Sequence, residues 1–126
     1  MFTLLPSAAF FLKLGRYAPA RMLIDQGVAV ALASDLNPGG GFTTSMPFAM
    51  TLACFGMNLT LEEALIGATL NAAASLDRAD LIGSLEAGKQ FDAVIVSGML
   101  TDLIRVGGPV VRQVIKRGRV VFPTGV

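Results

Sequence analysis

The chain has 126 residues, 53% of them hydrophobic, with a mean hydropathy of +0.65 and a formal net charge of +1. That length allows one real core but not a complete (β/α)8 barrel, which takes about 250 residues, so a barrel reading makes this the tail of something longer. The near-neutral charge excludes a global pull towards nucleic acid or anionic membrane, and no run reaches the roughly 18 apolar residues of a spanning helix.

Residues 1–14 read as an extended apolar piece broken at Pro6-Ser7. Its apolar stretch precedes Lys13 and Arg16, the wrong order for a secretory signal, so a cytoplasmic protein is expected. A short helix then starts at about Tyr17 with Pro19 in its first turn. Ala18, Met22 and Leu23, an Arg21–Asp25 pair and a stop at Gly27 complete it. Residues 28–33 follow as six small or branched apolar residues without a polar break, the pattern of a parallel strand buried on both faces.

That strand gives way at Asp35 to Leu36-Asn37-Pro38 and three glycines. In α/β proteins ligands bind at the carboxyl ends of parallel strands, which makes Asp35 the site candidate. Asp before Asn-Pro-Gly is also ordinary turn chemistry, and the glycines suit either a flexible loop or close backbone approach to a ligand. No dinucleotide or phosphate-loop signature is present.

Ser45 is placed to cap a helix that carries Pro47 in its first turn and runs to Gly56. Cys54 on that helix reads as a buried small hydrophobe, because the sequence contains no histidine to activate it. Thr60-Leu61-Glu62-Glu63 forms a capping box, so Glu62 and Glu63 read as structural, ahead of a helix with Leu61, Ala64, Leu65, Ala68 and Ala72 on one face. Beyond Asp77 the period changes, and residues 83–85, 93–97, 110–116 and 119–122 read as short strands. The last two are joined by an Arg117-Gly118 hairpin turn. Arg105, Arg112, Lys116, Arg117 and Arg119 read as its solvated face, since stacking aromatics are nearly absent there.

Ser34-Asp35-Leu36-Asn37-Pro38-Gly39, Ser45-Met46-Pro47 and Asn71-Ala72-Ala73 together resemble the imidazolonepropionases, metal-dependent amidohydrolases of histidine degradation. The stretch from Gly83-Ser84-Leu85 through Gly88-Lys89-Gln90-Phe91-Asp92 to Val96 resembles amidohydrolases more generally. The resemblance implies an α/β fold. Residues 1–78 would be the last strand-helix units of a partial (β/α)8 TIM-like barrel, and residues 79–126 would be short strands of a small composite β-sandwich.

It also implies that Asp35 contacts a metal and takes a proton from its water, and that Asn37 and Gly39 contact substrate or product. Gly40 stands where a hydroxyl residue is usual, which removes a side-chain donor. The implied cofactor is Zn or Fe in the complete enzyme. The implied reaction is hydrolysis of imidazolonepropionate to formiminoglutamate. A chain without histidine cannot complete such a centre, so these residues alone are expected to bind no metal and to be inactive. The expected partners are the small-molecule substrate, the missing N-terminal part of the barrel and, in a homodimer, a second copy; nucleic acid and membrane are not among them. Two other readings are a non-catalytic self-associating module and a fragment acting on another cyclic amide or an aminated ring.

Overall fold

Residues 1–123 of the computed structural model form two small sheets with helices packed around the first. Strand β1 (Phe2–Leu4) runs parallel to β2 (Val30–Leu32), with Phe2 opposite Val30 and Leu4 opposite Leu32. Helices α1 (Pro6–Phe11) and α2 (Ala20–Asp25) lie between them in the chain, the order of a parallel α/β unit. Val30, Ala31 and Leu32 are all buried, which is why an unbroken apolar run forms this strand.

Two expectations for the first part change. Residues 6–11 are helical, not extended. Pro6 sits in the first helical turn, where its missing N–H costs nothing, so it begins an element where a break was expected. The second helix starts at Ala20, with Pro19 outside it as the capping residue.

Helix α3 (Met46–Met57) begins as expected: Ser45 Oγ accepts the Phe48 N–H at 3.2 Å. It passes Gly56 and stops at Asn58, which takes the left-handed conformation at φ 58°. Gly56 allows the Tyr17 ring to lie against the helix; a Cβ there would stand 2.6 Å from the ring.

Helix α4 (Leu61–Ala68) carries the complete capping box. Glu63 N–H donates to Thr60 Oγ1 at 3.2 Å, and Thr60 N–H donates to Glu63 Oε2 at 2.8 Å. The apolar face expected to continue to Ala72 is interrupted at Thr69. Its hydroxyl donates to the Leu65 carbonyl at 2.7 Å while its backbone leaves the helix, and α5 (Leu70–Ser75) starts afresh. Leu4, Leu32, Met50, Ala53, Met57, Leu59 and Ala64 close the core between α3, α4 and the parallel pair. No helix of the described residues is long and apolar enough to cross a membrane.

The second sheet is antiparallel in the order β3 (Ala93–Val96), β4 (Val111–Lys116) and β5 (Arg119–Phe122). Arg117 and Gly118 both have positive φ, matching the right-handed twist of the hairpin they join. Residues 83–85 are not a strand: Gly83 turns the chain at φ 96°, packed against Ala73. A 3-10 helix at Leu100–Ile104 was not anticipated. It docks on α3, where the Thr51 hydroxyl is shared between the carbonyls of Ile104 at 3.0 Å and Pro47 at 2.9 Å. Many apolar side chains of this sheet are open to solvent, Val94 and Val120 among them. The end of the 79–126 segment, residues 124–126, lies outside the described residues.

Candidate functional site

Asp35 lies three residues beyond the last residue of β2, at the carboxyl end of that buried strand. Its backbone is left-handed at φ 52°, a conformation that costs an L-residue roughly 1–2 kcal/mol and that Asp tolerates better than most. The surrounding loop fixes it there. The Asp35 carbonyl accepts Gly41 N–H at 2.8 Å and Asn37 Nδ2 at 2.9 Å. The remaining Asn37 amide hydrogen reaches Asp35 Oδ1 at 3.1 Å, and Asn37 Oδ1 accepts Gly39 N–H at 2.9 Å. A strained residue held by several independent bonds is how active-site side chains are commonly presented.

The loop's two inner glycines are buried. A Cβ on Gly40 would overlap Asp35 Oδ2, stand 2.7 Å from Asn37 Nδ2 and lie 3.1 Å from the Asp35 carbonyl. A Cβ on Gly41 would overlap the Ser34 carbonyl and come within 3.2 Å of Ser7 Cβ. Gly39, by contrast, has only Asn37 Oδ1 at 3.6 Å and is open to solvent. The structure therefore brings Asp35, Asn37, Gly39 and Gly40 into one loop over the strand end. Gly40 faces Asp35 from within it.

Ser7 was read from sequence only as part of a break. It is fully buried at the start of α1, just past the end of β1, and its Oγ has no hydrogen-bonding partner among the described residues. Asn71 is the other residue whose task the sequence hid. Its Nδ2 donates to the Val30 carbonyl at 2.8 Å, anchoring α5 to the strand that carries Asp35.

Cys54 is half-buried, not buried as expected. Burial, and secondarily Glu62 and Glu63, push its thiol pKa up, away from the thiolate a nucleophile needs. Among the described residues no three His, Cys, Asp or Glu side chains come together as a metal site. Asp35 is a single carboxylate in a sequence without histidine, so these residues do not fit a complete metal centre.

The chain presents a carboxylate just past the end of a strand in a parallel α/β unit, and the amidohydrolase family model matches residues 3–121. The chain belongs to the amidohydrolase family. Within it, the chain is similar to imidazolonepropionase of Porphyromonas gingivalis, with 47% identity over 122 residues, covering 95% of this chain and 29% of that protein. It thus spans under a third of that relative's length. Among solved structures, adenosine deaminase from Xanthomonas campestris with bound zinc superposes with a TM-score of 0.80 at 27% identity, over 94% of this chain and 31% of that one. Guanine deaminase of E. coli shares the fold, with a TM-score of 0.79 at 22% identity over 98% of this chain and 33% of that one.

Proposed function

We propose that this chain is the C-terminal part of an imidazolonepropionase-like amidohydrolase that opens a cyclic amide, converting imidazolonepropionate to formiminoglutamate. The observation that carries the reading is Asp35, pinned in a left-handed conformation past a buried parallel strand and followed by Asn37-Pro38-Gly39. Residues 1–78 are then the closing part of a TIM-like barrel. The segment 79–126 then contributes β3 to β5 to a composite β-sandwich, a reading supported by the solvent-open apolar side chains of those strands.

On this reading Asp35 supplies one oxygen ligand and a proton acceptor. Asn37, Gly39 and Gly40 shape the substrate side of the loop. In the longer protein Asp35 would hold a zinc or iron ion together with ligands from outside these residues, and such an ion would supply activation of water. Alone, the chain binds no such ion and does not turn over substrate. The longer protein acts on a small molecule in the cytoplasm, as a homodimer, without nucleic acid or membrane. The likeness to adenosine deaminase favours a second reading, in which the ring acted on carries an amino group.

The test is a chimera in which these 126 residues replace the matching segment of the P. gingivalis enzyme. Imidazolonepropionate hydrolysis by the folded chimera supports the first reading. A folded, metal-loaded chimera that deaminates a purine and leaves imidazolonepropionate intact supports the second.

A further inference from the structure

The feature not used above is the contact between Gly40 and the Asp35 carboxylate. Gly40 is buried, and the space its Cβ would fill is taken by Asp35 Oδ2 and Asn37 Nδ2. Gly39, one residue earlier, has room for a side chain. We propose that Gly40 is a positioning residue for Asp35: its missing side chain is the space into which the carboxylate folds back over the loop, against the Asn37 amide.

A side chain at position 40 and this position of Oδ2 exclude each other, because the overlap is far inside van der Waals contact. The lower-cost adjustment is rotation of Asp35 about χ1. The competing movement, of the Asp35 backbone, would break the bond from Gly41 N–H to its carbonyl, whereas Asn37 Nδ2, a side-chain end also in the way of the new Cβ, turns aside with the carboxylate. Gly40→Ala therefore sends the carboxylate out of the loop and removes the Asn37 Nδ2 to Oδ1 bond. The geometric claim stands on this chain alone; its bearing on catalysis rests on the reading of Asp35 proposed above.

The experiment is solution NMR on the chain, with three-bond couplings from the Asp35 backbone to its Cγ reporting χ1. Gly40→Ala is expected to move Asp35 to another rotamer, while Gly39→Ala leaves it in place. A folded Gly40→Ala chain with unchanged Asp35 couplings overturns the proposal. Should Gly40→Ala not fold, Asp35→Gly supplies the second arm, because glycine suits φ 52° and removes the carboxylate. The double variant is then expected to fold. Where both single variants fold, Gly40→Ala should perturb the unfolding constant at least about fivefold less in the Asp35→Gly background. Strictly additive effects, or a double variant no better folded than Gly40→Ala, overturn the proposal. Both arms read the chain's own geometry, so they are independent of whether the chimera turns over substrate.

Discussion

Asn71 Nδ2 donates to the carbonyl oxygen of Val30 across 2.8 Å, tying α5 to the first residue of the strand that leads into the Asp35 loop. Val30 is buried, so its carbonyl has no water to fall back on. Asn71→Ala leaves that acceptor unpaired and is expected to cost about 1–3 kcal/mol in chemical denaturation. Asn71→Asp sets a carboxylate against the same carbonyl and should cost more.

Thr60 and Glu63 begin α4 by satisfying each other's backbone N–H groups. Glu63 is also gripped by Arg21 of α2, whose Nη1 reaches Oε1 at 3.0 Å and Oε2 at 2.8 Å. Arg21 and the Thr60 N–H together hold the Glu63 carboxyl below its ordinary range. Thr60→Ala should cost about 1 kcal/mol, as helix caps do. A double-mutant cycle on Arg21 and Glu63 should give a coupling smaller than the loss from Thr60→Ala, because the pair is partly solvated and screened. Urea denaturation of the five chains measures both.

Asp92 holds the last hairpin from outside it. Its carboxylate accepts Lys116 Nζ at 2.5 Å, Gln90 Nε2 at 2.7 Å and the Arg117 N–H at 2.8 Å. Lys116 first, then the Arg117 N–H, lower its pKa from 3.8 to about 2. A carboxyl lowered in the folded state contributes stability that is complete above the unfolded value and is lost as pH falls through the folded one. Hairpin stability should therefore fall between about pH 3.8 and about 2. Asp92→Asn should flatten that dependence, with amide exchange at Lys116 and Gly118 as the measurement.

What could be read from the residues was what short-range chemistry dictates. The run ending at Asp35, the Ser45 cap, the Thr60 box and the Arg117-Gly118 turn each depend on neighbours within a few positions, and the structure has all four. The misreadings have a common cause. Pro6 signals a helix start as well as a break, and the unbroken apolar run from Ala8 to Leu12 shows no periodicity to decide between them. Thr69 divides α4 from α5 through a bond to its own preceding turn, which the apolar face does not reveal. Gly83 reads as strand until its positive φ is seen.

The loop that carries the candidate carboxylate was legible in the sequence, and its support was not. Asn71 reaches Val30 across 41 positions, Arg21 reaches Glu63 across 42, and Ser7 meets Gly41 only once β1 and β2 are paired. Gly40 looked like the loss of a donor. Its packing against Asp35 depends on a side-chain conformation that no local pattern encodes.

The central claim is that Asp35 is the working carboxylate of a site this chain only partly supplies. Its most direct test is Asp35→Asn in the P. gingivalis chimera, with imidazolonepropionate turnover and bound metal measured on the same sample. The account predicts that the unmutated chimera is active, that the isolated chain is inactive, and that the substitution lowers turnover by about 100-fold or more without unfolding the chimera. Full turnover by the folded Asp35→Asn chimera, or turnover by the isolated 126 residues, would contradict it.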